Sequence, residues 1–494
     1  MKPVLIIICM ALLSNEINSK FLRSLQSSTN SYDYSSYKAT STNENLSSAS
    51  LSSETSDQSV VYITNSGIKI EDSTLTKESG ASSNTENSEF YGVNAAVLVQ
   101  GGGVTITGGT ITTKAQGANA LCATNKGTVQ ISGTTITSTG GSSARGLHAT
   151  YGGSITANGV TVSSTGGSCA TLATDRGEGT VTCSSCTLST AGAGSPLIYS
   201  TGQITVSNST KGTSTGAQAV VVEGKNTATV KNSELKCNGY GNRGDSDKVD
   251  KCGIMLYQSM SGDADSGTST FNCESSTIEI LSGSSVYNSA PMFFITNTDA
   301  SINLNNCKFT YGSSIFLSAG GTSEWGTSGS NGGVVTLTLK NQNIEGDFVV
   351  DAYSGLTIKL TESSTLKGKI NNGKTAAKIE IIIDSTSSIE LTGDSYYTSL
   401  TNSGSSNINV GSYKWEQVDA SEISRPSGGQ GGPGGSGGPG GSGGQGGPGG
   451  PGGERPDMPN GSGQPPSNSR NETTSTSKSN YINISILLLL FALF

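Results

Sequence analysis

AAVLVQGGGVTITGGTITTKAQGAN, residues Ala95 to Asn119, is followed without a gap by ALCATNKGTVQISGTTITSTGGSSA, Ala120 to Ala144. RGLHATYGGSITANGVTVSSTGGSC, Arg145 to Cys169, comes next, and then ATLATDRGEGTVTCSSCTLSTAGAGS, Ala170 to Ser195. The period is close to 25 residues. Each copy holds three short β-type runs separated by Gly, Ser or Asn turns, and apolar and polar residues alternate within a run: Val104 and Ile106 flank Thr105. A copy this short has no room for a crossover helix. Three strands per copy therefore predict an all-β solenoid, a right-handed parallel β-helix, in which each coil stacks on the next about 4.8 Å along the axis. A two-sheet β-sandwich fits less well, because it does not impose one sustained period.

Stacking predicts inward columns. One runs Ile106, Ile131, Ala157, Cys183, Val206, Val230, Phe271 and Leu304. A second runs Ile111, Ile136, Val162 and Leu188, is interrupted at Lys211, and resumes at Leu235, Ile278 and Phe309. About a dozen coils give a solenoid on the order of 55 Å long.

Composition agrees with a surface wetted by hydroxyls and amides. The charged fraction of the 494 residues is 13%, against about 25% in an ordinary globular chain, and the net charge of −8 gives no nucleic-acid footprint. Residues 1–19 read as a secretory signal, with Lys2, an apolar core from Val4 to Leu13, and a cut after Ser19. Residues 20–58 are dominated by Ser and Thr and are expected to be disordered. The β-helix is assigned to 59–416 and a Gly/Pro/Ser-rich flexible stalk to 417–480. Residues 481–494 are a hydrophobic tail, too short to span a bilayer comfortably. Preceded by Asn471, Ser475 and Ser477 as attachment candidates, that tail has the layout of a glycosylphosphatidylinositol (GPI) anchor signal. The expected location is the external face of the plasma membrane. Asn45, Asn208, Asn460 and Asn471 begin N-glycosylation sequons.

Of nine cysteines, Cys9 leaves with the signal, and the even remainder in a secreted chain favours disulfides. Cys237 and Cys252 bracket one insertion and are expected to pair. Cys183-x-x-Cys186 lacks the second pair and the histidine of a zinc site.

Over roughly residues 59–416 the chain resembles the pectin-lyase-like β-helix proteins, many of which are non-enzymatic surface proteins. Asn297-Thr298-Asp299 is similar to a motif of the family-28 polygalacturonases. That family's further Asp-Asp, Gly-His-Gly and Arg-x-Lys motifs do not follow Asp299, so the resemblance does not carry the hydrolase. His148, the one histidine, lies on a strand without a Ser or Cys partner at recognisable spacing and reads as a surface or packed residue. No enzyme, cofactor or metal is expected. Asp245, Asp247 and Asp250 lack the glycine and terminal glutamate of a calcium loop.

Three binding readings remain. The first is a structural or adhesive surface protein whose partner is a cell-surface or matrix protein or a glycan. It would act through loops that break the repeat: Cys237–Cys252, which carries Arg243-Gly244-Asp245, and Ala319–Gly333 around Trp325. The second is ice binding through outward Thr-x-Thr ladders at Thr110, Thr112, Thr135, Thr137, Thr161 and Thr187. The third is a carbohydrate-binding β-helix without catalysis.

Overall fold

The structure is a computed structural model and describes residues 31–240, 251–404 and 407–423. Among these residues the strands form three long ladders. The first sheet has 12 strands from Ala39–Thr42 to Asp347–Val350, the second has 14 from Leu46–Ser47 to Ser399–Asn402, and the third has 10 from Ser50–Ser53 to Lys308–Thr310. A four-stranded sheet, opening with Asn343–Glu345, follows in the later coils. Every strand pairs in parallel with the equivalent strand one coil away, as in Val129–Val104 and Val129–Ile155. The fold is a parallel β-helix.

Register settles the columns. Ile106, Ile131, Ala157, Cys183, Val206 and Val230 stack as expected, but the next member is Cys273 and then Leu304. Phe271 points inward one pleat earlier, between Ala228 and Ile302, because the strand Thr268–Glu274 is seven residues long. In the third sheet the column passes through Gly212, not Lys211, on its way from Leu188 to Leu235. Lys211 points to solvent. A Cβ at Gly212 would stand 2.6 Å from Leu197 Cδ1, so the leucine fills the space a side chain there would need.

The turn from second to third strand is tight and repeats one device. Asp72, Gly133, Gly159, Ser185, Asn232, Ser275, Asn306 and Asn341 all adopt left-handed backbone there. Small polar residues and glycine tolerate that region best. The next residue turns inward and ties neighbouring coils: Ser387 Oγ accepts from Ser364 N (3.1 Å), and Ser364 Oγ from Gln342 N (3.1 Å). Buried backbone donors at the corner are thereby satisfied. Two disulfides occupy the same corner. Cys183–Cys186 closes within a coil, and Cys273–Cys307 joins successive coils.

Two sequence expectations change. The Ser/Thr-rich segment 20–58 contains a complete coil, Ala39–Thr42, Leu46–Ser47 and Ser50–Ser53, paired onto the strands that follow. Taken alone the segment buries too little apolar surface to order itself, but stacked on the next coil it needs only Ser41, Leu46, Leu51 and Ser53 on the inward side. At the other end the chain folds back beyond 416: Val418 N donates to Tyr397 O (2.8 Å) and Ser421 N to Ala377 O (2.9 Å). Residues 1–30 and 424–494, with the signal, stalk and anchor readings, lie outside the described residues.

Candidate binding surfaces

The outward face of the third sheet carries hydroxyls in two columns. Thr74, Thr110, Thr135, Thr161 and Thr187 are in register and exposed. Beside them run Thr76, Thr112, Thr137, Ser163 and Ser189. The array begins before Thr110: Thr74 and Thr76 precede it in register, and Ser50 and Ser52 precede them. It ends where Lys211 and Glu234 continue the first column.

The outward face of the second sheet is also polar, with Thr156, Thr182, Thr205, Thr229, Asn272, Asn303 and Thr338 in one column. Around its middle lies an open cleft of about 450 Å³ lined by Thr229, Lys231, Asn272, Glu274, Asn303 and Lys340 among others. Its amides form a chain: Asn303 Nδ2 donates to Asn272 Oδ1 (3.0 Å), and Asn272 Nδ2 to Thr229 Oγ1 (3.3 Å). Lys231 pairs with Glu274 at 3.3 Å and Lys340 with Glu362 at 2.9 Å. The surface therefore offers amide and hydroxyl groups with its charges already matched. Such a surface suits hydrogen bonding to a neutral polar ligand.

The first sheet differs, because over most of its strands the outward face is buried as well. Its outward column is Tyr62, Leu98, Cys122, His148, Ala173 and Tyr199. Tyr34 and Tyr37 pack over its first strands, against Tyr62, Leu98 and Cys122, and two segments cover its middle. One is the helix Thr85–Tyr91, N-capped by Asn84 and stopped by Gly92, whose left-handed backbone sits against the Cys122 sulfur with no space for a Cβ. The other is the excursion 258–267. Beneath the helix His148 Nε2 lies 2.6 Å from Glu89 O. Arg145 reaches Asp175 at 3.2 Å and Glu89 at 3.5 Å, and Ser143 Oγ donates to Glu89 Oε1 at 2.5 Å. Arg176 links the two covers: its guanidinium lies 3.8 Å from the Phe90 ring centre and bonds Asp263 at 2.6 Å.

Burial dominates the electrostatics here. Loss of hydration lowers His148 to about 3, and the Arg145 charge pushes the same way. Burial raises Asp175 to about 7 against the opposing pull of Arg145. His148 is packed, and Cys122 beside it in register is a buried thiol that loss of hydration holds in its protonated form. Sequence reasoning missed Glu89, Arg145, Asp175, Arg176 and Asp263. The available signal was that charges are sparse in this chain, yet three of them flank first-sheet strands directly, at Arg145, Asp175 and Arg176.

Further along this face, Trp325 packs with Val221, Met255 and Tyr257, its ring 5.0 Å from that of Tyr257. Ala319–Gly333 thus contributes a buried anchor. Glu223 accepts from Tyr199 Oη (2.5 Å), Tyr257 Oη (2.8 Å) and Ser259 Oγ, which pins the start of the 258–267 excursion.

The Cys237–Cys252 disulfide is not formed. Cys237 is a thiol directed into the main core, 3.8 Å from Gly253 O, whereas Cys252 packs in the outer cluster with Trp325. Cys237 ends a strand at an inward position and Cys252 precedes a strand whose outward face is also buried, so the two side chains enter different layers. Arg243, Gly244 and Asp245 lie outside the described residues, as do Asp247, Asp250, Asn460, Asn471, Ser475 and Ser477. Asn45 and Asn208 are exposed on turns, with Asn45 Oδ1 accepting from Lys69 N (2.8 Å) and Asn208 Nδ2 donating to Ser184 Oγ (2.9 Å). Asn297 sits at a turn, bonded to Gln258 O at 2.8 Å, and Asp299 opens the next strand. No protein-family model, curated protein or solved structure matches the chain.

Proposed function

We propose that this chain is a non-catalytic β-helix of pectin-lyase-like type, displayed outside the cell on a GPI anchor, where it acts as a structural or adhesive surface protein. The observation that carries the reading is the register of the outward columns. Across the second and third sheets, coil after coil presents hydroxyl and amide groups at fixed spacing, with Lys231 and Lys340 paired to carboxylates. A repetitive neutral face of this kind suits extended contact with a glycan or a matrix surface better than chemistry at one point. His148 and Asp175, acid–base groups of successive coils, are buried in packing instead. Anchorage rests on the apolar stretch at each end of the sequence.

Treating intact cells with a phospholipase specific for inositol lipids tests the anchor, and release of the protein is the expected result. Lipase-resistant surface display would overturn it. Adhesion is tested by Asp245→Glu, which keeps the charge and moves it by one methylene. Reduced cell attachment assigns the contact to that loop, and undiminished attachment returns it to the sheets.

The two threonine columns favour a second reading, ice binding. Thr135→Lys with Thr161→Lys would then abolish thermal hysteresis. A wild-type protein without hysteresis ends that reading.

A further inference from the structure

Among the described residues the third ladder breaks after Lys308–Thr310. The strand one coil on, Asn343–Glu345, opens the four-stranded sheet instead of pairing with it. Yet the flanking strands of the same two coils do pair, Asp299–Asn305 with Val334–Lys340 before the break and Ile315–Ala319 with Asp347–Val350 after it. The break is thus a slot in a continuous wall, an open cleft of about 520 Å³. Side chains replace backbone at both of its ends. The Gln342 carboxamide accepts from Cys307 N (2.7 Å) and donates to Cys307 O (2.6 Å) and Asn343 O (3.0 Å), bonding both walls as a peptide group would. At the far end Tyr311 Oη donates to Glu345 O (2.5 Å) and stands where a Cβ on Gly346 would fall. Between these plugs the strand edges are open. Lys308 N donates away from the slot to Ser276 O, so by alternation the amide and carbonyl of Phe309 point into it. Gly346 N also donates away, to Lys367 O, which turns the Glu345 amide towards the slot.

We propose that this slot takes one extended peptide strand from a protein partner, paired by its backbone to both edges and parallel to both walls. Continuing the register of Asn305 with Lys340 sets the pattern of the guest. Its first residue lies on the outward side between Lys308 and Asn343. Lys308 is exposed, with the neutral Thr277 as its partner on the other side, so an acidic residue is matched there. The second residue points inward between Phe309 and Ile344, beside Phe316. An apolar side chain there would carry the Ile278–Phe309 column across to Ile344 and Leu366. The third lies between Thr310 and Glu345 and suits a hydroxyl. The proposal gives the adhesive reading a partner class and rests on that reading only for the source of the peptide.

Hydrogen exchange of the full chain would be followed while the capped peptide Gly-Asp-Val-Thr-Gly is raised into the millimolar range. Exchange over residues 308–310 and 343–346 should slow about tenfold and saturate, with the rest of the β-helix unchanged. N-methylation of the valine removes one strand donor and should weaken the peptide about tenfold. Lys308→Glu, at an exposed position, should weaken it about fivefold, and a peptide with Lys in place of Asp should recover the loss. Absence of saturable protection, protection elsewhere, equal affinity for the methylated peptide, or indifference to Lys308→Glu overturns the proposal. A neutral β-linked glucan oligosaccharide that protects these residues while the peptide does not would also overturn it and give the slot to a glycan. Protection that persists while cells carrying the protein fail to attach to any matrix would sink the adhesive reading and leave the slot standing.

Discussion

Gly212 is the narrowest point of the third-sheet column, and Leu197 occupies the space beside it. Gly212→Leu, although it restores the apolar pattern, should destabilise the protein by about 1–3 kcal/mol through overpacking. A shift of the urea midpoint at constant slope would measure it; an unchanged midpoint would show that the core yields there. Ile136→Ala, in the same column and fully buried, should cost about 2–5 kcal/mol by leaving a cavity. These two positions also show what a single sequence tells and conceals. Ile136 is legible because its neighbours Thr135 and Thr137 fix the face by alternation. Gly212 is not, because a missing side chain carries no hydropathy, and counting from the turn placed the interruption on Lys211. The Phe271 slip has a related cause, since every second residue of a seven-residue strand is inward and nothing in the sequence marks which one faces Val230.

At the scale of the element, strands and turns were legible and the covers were not. The turn chemistry at Asp72, Gly133, Ser185 and Asn232 repeats with the period, so each copy corroborates the others. The helix Thr85–Tyr91 occurs once and spans two turns, too short for a helical period to show. Its dependence on Gly92 gives a sharp test. Gly92→Ala must adopt left-handed backbone and place its Cβ against Cys122 Sγ, so it should loosen the cover and speed Cys122 alkylation at least tenfold. Alkylation at the wild-type rate would mean that the helix end carries no such strain. The expected Cys237–Cys252 bond failed at this scale too. Proximity along an insertion says where two cysteines start and end a loop, but not which layer each side chain enters.

For the whole β-helix, stability is a sum over coils and the interfaces between them. Deleting Ala120–Arg145 removes one complete coil and brings Asn119 to Gly146, the in-register equivalent of Ala120. That deletion should still yield a cooperatively unfolding protein. Removing only Ala120–Ser132 puts strands of unlike sheets in register and should abolish folding, as circular dichroism would report. Equal behaviour of the two deletions would contradict additive coils. The placement of Cys273–Cys307 has a mechanical consequence. A force applied at the C-terminal end of the β-helix loads the hydrogen bonds of one coil at a time, so the chain should peel in steps of about 80 Å, one repeat at about 3.4 Å per residue. The bond between successive coils changes this after roughly 400 Å of chain has been paid out, because it carries the load from Cys307 directly to Cys273 and takes the residues between them out of the path of the force. One lengthening step is thereby lost ahead of the coils that carry the threonine face, and reducing the bond would restore it.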